Sequence, residues 1–305
     1  MPLIDRHTHL EGALAPAWVQ VEAARRGLSI PASLETLWSG GRVSFDGFIA
    51  AFLFGAGLLD SHAAVREATL AVARRTRASG GVGFDLWASP HFLVIHRGQI
   101  SIDAFWRGLE EGLAEAGSWG LRGCVVLDAI NHFGPKHGQA VLDLTLPELP
   151  KFVKGFSTGG LEGRPFRDWA PIFDRARKAG LHIAAHAGEN GPGSNVREAL
   201  LEGGVSRIVH GIRADDATFD LLAERGVPVD ICPSSNRALV TDVNPHPLPR
   251  MLRAGVRCAL GTDDPGVIPC DLNSEVIAAQ GMGLTADELA SLRRFGAEDA
   301  WCLQA

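Results

Sequence analysis

Eight short apolar runs recur along this chain, each ending in a polar or glycine-rich turn before residues of helical periodicity take over. This repeated β-then-α alternation is the strongest constraint on the fold. The runs are Leu3–Leu10, Val82–Ala88, Leu121–Ala129, Phe152–Thr158, His182–Gly188, Arg207–Gly211, Val227–Pro233 and Arg257–Asp263. Strands that alternate with helices pair in parallel, and eight parallel strands close into a barrel. The pattern therefore predicts an α/β protein, a (β/α)8 TIM barrel forming one domain over residues 1–305. A hydrophobic content of 46% over 305 residues is enough to fill such a core. No internal repeat, low-complexity tract or Pro- or Ser-rich linker divides the sequence.

The helices are clearest in the second half: Phe166–Ala179, Val196–Glu202, Asp215–Glu224 and Pro247–Ala254. Each stops at or beside a glycine (Gly180, Gly203, Gly226 or Gly255), the residue best suited to a left-handed C-cap. Residues 14–77 exceed what one crossover needs and hold several helical segments around the turn-like Ser39-Gly40-Gly41, which predicts a helical lid inserted after the first strand. Phe45, Phe48 and Phe52 lie at helical spacing within it, as one buried face or as a cover over a ligand. Between Asn131 and Pro147, Gly134, Pro135 and Gly138 break the pattern of the third crossover helix.

Charge and cysteine content exclude several functions. A net charge of −6, with Lys and Arg scattered, offers no basic field for a nucleic acid backbone. Asp5 and Arg6 interrupt the N-terminal apolar stretch, so it does not read as a signal peptide, and the longest apolar run, Phe48–Leu59, is too short to span a bilayer. The expected location is cytoplasmic, without a membrane partner. The five cysteines are widely spaced, with no C-x-x-C, as expected of core packing rather than disulfides or a thiolate metal site. Gly188–Gly193 lacks the G-x-x-x-x-G-K pattern, and Gly81-Val82-Gly83 precedes its strand, so neither reads as a phosphate loop.

In a parallel barrel every strand exit opens onto the same rim, and the unusual polar residues sit at those exits. His7 and His9 close the first, His186 and Glu189 follow the fifth, His210-Gly211 the sixth and Asp263-Asp264 the eighth. Two imidazoles at i and i+2 on a strand share one face and can grip one metal ion, with His186 and Asp263 supplying further ligands. Neutral imidazoles with one carboxylate suit a borderline-soft divalent ion such as zinc, which lowers the pKa of bound water to about 7 and makes a protein nucleophile unnecessary.

With these residues in place, the chain resembles the adenosine deaminase family of metal-dependent amidohydrolases, which use a (β/α)8 barrel. The likeness rests on His7-Thr8-His9-Leu10-Glu11-Gly12, His186-Ala187-Gly188-Glu189, Val209-His210-Gly211, Cys232-Pro233-Ser234-Ser235-Asn236 and Thr262-Asp263-Asp264-Pro265, in the family's order across nearly the whole chain. The resemblance implies that His7, His9, His186 and Asp263 hold one zinc ion. It implies that Glu189 protonates the purine ring and later the leaving amine, and that His210 orients and deprotonates the attacking water. It makes Asp264 a hydrogen-bond partner of the purine's imidazole edge, brings the Gly160 backbone to the other side of the base, and makes Phe48 and Phe52 part of the cover. The family usually shows an acidic residue where Ser157 stands, so only Gly160 and Glu162 of that loop match. Glu11 stands where adenosine-specific members carry Asp against the ribose, as in members that act on free adenine, and a nucleoside altered at its 5′ end, such as aminodeoxyfutalosine, would equally lack that contact.

The expected function is zinc-dependent hydrolytic deamination of a 6-aminopurine, with adenosine or a modified adenine nucleoside ahead of free adenine or an N6-substituted adenine. A catalytically silent purine-binding barrel is disfavoured because Glu189, His210 and all four ligands are present. A hydrolase of cyclic amides or phosphoesters is disfavoured because the fourth strand ends in Ser157-Thr158, with Lys154 too early to bridge two metals.

Overall fold

The computed structural model describes residues 1–304. Eight strands lie in sequence order in one parallel sheet: β1 Leu3–His9, β2 Gly81–Ala88, β3 Arg122–Ile130, β4 Val153–Gly159, β5 His182–Ala187, β6 Arg207–His210, β7 Val229–Ile231 and β8 Cys258–Leu260. Each falls within a residue or two of the run that predicts it, except that β7 and β8 are only three residues long. The sheet closes where β1 meets the segment after β8. There the His9 N–H donates to the Asp263 carbonyl at 2.7 Å and the Asp263 N–H to the His7 carbonyl at 2.8 Å. The barrel closes on the very residues expected to bind metal.

Among the described residues thirteen α-helices connect and cover the strands: α1 Pro16–Arg26, α2 Ala32–Trp38, α3 Phe45–Gly57, α4 His62–Ala78, α5 Ile102–Ser118, α6 Pro135–Thr145, α7 Phe166–Lys178, α8 Ser194–Glu198, α9 Asp216–Arg225, α10 Pro233–Leu239, α11 Leu248–Arg253, α12 Leu272–Gly281 and α13 Ala286–Glu298. The first four fill the long insertion between β1 and β2. Of these, α4 packs along β2 and α5 as a crossover helix does, whereas α3 turns its phenylalanines toward the barrel mouth. The Trp38 indole N–H donates to the Gly266 carbonyl at 2.8 Å and fastens α2 to the loop beyond β8.

The segment with the broken helical pattern is helical after all. Pro135 opens α6 at its first turn, where a missing N–H costs nothing. Gly138 is there for packing, since a Cβ at that position would lie 2.5 Å from the Trp169 ring on α7. The turn after α8 runs on through Gly203, so the left-handed C-cap is Gly204 rather than Gly203.

Inside the barrel, side chains stack in layers. Toward the strand starts lies a fully buried group of four charges, Arg6, Asp85, Arg207 and Asp230. Arg6 is 3.1 Å from Asp230, and Arg207 is 2.8 Å from Asp85 and 3.4 Å from Asp230. The C-terminal turn closes this end: the Trp301 and Cys302 N–H groups donate to Asp85, and the Trp301 ring lies 3.6 Å from the Arg207 guanidinium carbon. Trp87, two residues beyond Asp85 on β2 and in apolar contact with Val126 and Val209, packs edge-on against His7 and His186.

Candidate active site

Three strand exits, those of β1, β5 and β8, bring the four predicted ligands together. His7 Nε2 lies 3.1 Å from Asp263 Oδ1 and 3.2 Å from His186 Nε2, and His9 Nε2 lies 3.3 Å from His186 Nε2 and 3.4 Å from Asp263 Oδ1. Donors at this separation surround a first-row ion with bonds of about 2.0–2.1 Å. The protonation states also fit. Burial pushes the pKa values of His7 and His9 down to about 3 and that of His186 well below its ordinary value, so all three are neutral donors. Burial alone would raise Asp263, but the His7 hydrogen bond and the imidazoles of His210, His7 and His9 hold it well below the usual carboxylate range. His186 Nδ1 donates to the Thr158 carbonyl at 2.9 Å, which fixes the tautomer and turns the Nε2 lone pair toward the cluster. The residues present fit a single zinc-class ion. The Cys232 thiol also lies within 4.8 Å of donor atoms on His7 and Asp263, but burial raises its pKa and keeps it protonated.

Glu189 and His210 flank the cluster, their Oε1 and Nε2 atoms 3.6 Å apart. Burial, with Asp263 and Glu162 adding to it and His210 opposing, raises the Glu189 pKa, the direction that suits a proton donor near neutrality. The loop carrying Glu189 is pinned from beneath by Glu162. Its carboxylate accepts the backbone N–H groups of Gly188, Glu189, Asn190 and Gly191 at 2.8–3.1 Å and the Asn195 amide at 2.7 Å. Glu162 thus accounts for the half of its loop that matched.

A cavity of about 540 Å³ opens above these groups. Its walls include His9, His186, Glu189, His210, Asp263 and Asp264 at the base, Gly160 and His132 at one side, and Phe45, Phe48 and Phe52 of α3 above. Asp264 does not cap a helix: its side chain is buried, Oδ1 has no partner, and burial reinforced by Asp263 raises its pKa far above the ordinary value. Gly12 makes room for it, because a Cβ there would fall 1.9 Å from Asp264 Oδ1. Glu11 is buried one step further back. Its Oε1 accepts the Ser89 N–H at 2.7 Å, Oε2 has no partner, and Ser89 forms the cavity wall in front of it.

Two features of the site escape the sequence reading. Asp128 lines the cavity near the end of β3, fully buried, with an unpartnered Oδ1 and a pKa raised by burial and by Glu11. It is the register partner of Ser157, so a carboxyl stands one strand away from the place where the family usually carries one. The strand-exit rule that flags His7 and Asp263 would have found it. The other is His246, half-buried beside Asn236.

The family model described as adenosine deaminase matches residues 2–305. An adenine deaminase from Caulobacter vibrioides is 31% identical over 306 residues, covering 96% of this chain and 87% of that protein. An aminodeoxyfutalosine deaminase from Acidothermus cellulolyticus is 32% identical, covering 99% and 92%. The solved structure of an adenine deaminase from Arthrobacter aurescens superposes with a TM-score of 0.89 at 25% identity, covering 100% of this chain and 94% of that one. With the family model matched from end to end and relatives above 30% identity along nearly its whole length, the chain belongs to the adenosine deaminase family.

Proposed function

We propose that this enzyme removes the 6-amino group of an adenine-type compound by metal-assisted hydrolysis, releasing ammonia. The observation that carries the reading is the convergence of three neutral imidazoles and Asp263 beside Glu189, a largely covered carboxyl whose pKa burial raises, at the base of one cavity. His7, His9, His186 and Asp263 would hold one zinc ion per chain, and such an ion supplies a nucleophile near neutral pH by acidifying water. Glu189 delivers a proton to the ring nitrogen as the oxygen attacks, since an aromatic C–N carbon yields only when that nitrogen is protonated. His210, across the same space, holds the attacking water. Asp264 and the Gly160 backbone bracket the base, Glu11 presents its free oxygen from behind Ser89, and α3 closes as a lid through Phe48 and Phe52, excluding water.

Two observations bear on the substrate. The cavity falls in the range of pockets for drug-sized ligands, about 300–1,000 Å³, and Phe45, Ile49, Leu53, Phe92 and Phe133 make its outer part apolar. That room favours an adenine nucleoside carrying a large aromatic 5′ substituent, such as aminodeoxyfutalosine, over a bare base. Glu11, and relatives named as adenine deaminases, favour free adenine or an N6-substituted adenine as the second reading. No helix among the described residues is long and apolar enough to cross a membrane, and all five cysteines are free thiols, which supports a reducing cytoplasm.

Ammonia release by the zinc-loaded protein from adenosine, a 5′-modified adenine nucleoside, adenine and an N6-alkyl adenine tests the proposal. Turnover of at least one, lost on chelation and restored by zinc, is expected. Turnover confined to a pyrimidine, a pterin or an amide would overturn the substrate class.

A further inference from the structure

A line of hydrogen bonds reaches His210 from outside the cavity, and its direction is fixed at the far end. The backbone N–H of Leu248, the first residue of α11, donates to His246 Nδ1 at 3.2 Å. A backbone amide has no alternative role, so His246 Nδ1 is an acceptor and the neutral ring carries its proton on Nε2. Burial lowers the His246 pKa to about 4, which keeps that ring neutral. His246 Nε2–H therefore donates to Asn236 Oδ1, 3.2 Å away. This sets the Asn236 side chain with its NH2 group toward His210, where Nδ2 lies 3.1 Å from Nδ1. An amide NH2 can only donate, so His210 Nδ1 accepts, and the proton of the neutral His210 ring sits on Nε2, the atom that faces Glu189.

We propose that Asn236 and His246 are positioning residues that lock the tautomer of His210, so that its Nε2–H meets the attacking water as a hydrogen-bond donor rather than as a base. Neither residue touches the cavity, and His246 has no visible role in the sequence. The resemblance assigns deprotonation to His210, but a neutral ring whose only lone pair already accepts from Asn236 has none free on the cavity side. The water's identity rests on the deaminase reading; the tautomer does not.

Nitrogen-15 labelling of histidine in the zinc-loaded protein reads the tautomer directly from two-bond proton–nitrogen correlations, with His210→Ala and His246→Gln identifying the signals. Wild type is expected to show Nε2–H at both rings. Asn236→Asp, whose carboxylate can only accept, should move the His210 proton to Nδ1 and leave His246 unchanged. Its kcat/KM should fall about 10²-fold or more with metal content and KM retained. His246→Gln keeps a donor toward Asn236 and should preserve the wild-type tautomer, whereas His246→Ala frees the amide to rotate and should give a mixture. A wild-type His210 protonated on Nδ1, or a tautomer indifferent to Asn236→Asp, overturns the proposal. Should Asn236→Asp fail to fold, the wild-type and His246→Ala spectra decide the matter. Failure to find a purine substrate would leave these spectra intact, so the two readings fail separately.

Discussion

His210 and Asp263 are the two residues other than glycine that the described chain holds at positive φ, 67° and 62°, and both stand in the site. A left-handed backbone at such residues costs about 1–3 kcal/mol and persists only where the surroundings over-determine it. Here closure of β1 onto the segment after β8 supplies that constraint for Asp263, and the bond to Asn236 helps to hold His210. The clustering of the four candidate ligands was legible in the sequence because metal binding needs particular side chains at particular strand exits. The backbone strain was not, since it arises from long-range closure, and Asp128 was passed over although it obeys the same exit rule. Glu189 supports the sharpest test at this scale. Glu189→Gln keeps the size and polarity of the side chain but removes the transferable proton. Deaminase activity should drop about 10²–10⁴-fold, while zinc content by elemental analysis and the melting temperature stay at wild-type values. Activity within a few-fold of wild type would remove Glu189 from the role of acid.

The strands and most helices could be read from period and punctuation, because parallel strands buried on both faces are short continuous apolar runs. The reading faltered at α6 because Gly138 is the weakest helix former short of proline, placed there for the sake of the Trp169 ring on another helix. The segment between β1 and β2 shows the same limit: residues 14–77 read as one insertion, but only the packing separates α4, which lies along β2, from α3, which faces the cavity. Loops are the least legible elements, and the one after β5 depends on a carboxylate from the preceding crossover. Glu162 satisfies four consecutive N–H groups there, including that of Glu189 itself. Glu162→Gln replaces two acceptor oxygens with one and places an NH2 group against backbone donors. Displacement of Glu189 by about 1 Å would cost about 10²-fold in kcat. The expected result is that loss at unchanged metal content; a variant with wild-type kcat would mean that the loop holds its shape without the carboxylate.

At the scale of the whole barrel, the end opposite the cavity is where this chain departs furthest from the usual layers of branched apolar side chains. Arg6, Asp85, Arg207 and Asp230 come from four different strands, two positive charges facing two negative ones, all without solvent exposure. In the sequence Arg6 reads only as an interruption of an apolar run, and the partners lie 79, 201 and 224 positions further on, so only a closed barrel makes them neighbours. A complete buried set of this kind adds little net stability over apolar packing, yet removing one member leaves an uncompensated charge, which costs about 3–5 kcal/mol. Arg207→Met should therefore lower the urea midpoint by that amount of unfolding free energy. It also frees Asp299 O and Arg6 O of their Arg207 contacts and leaves Asp85 and Asp230 facing Arg6 alone. Adding Asp85→Asn to Arg207→Met restores charge balance and should recover part of the loss. If the double variant is as unstable as the sum of the two single ones, the charges act independently. The deaminase activity of whatever fraction remains folded should hardly change, because Trp87, two residues beyond Asp85 on β2, packs against His7 and His186 on the side of the proposed metal site.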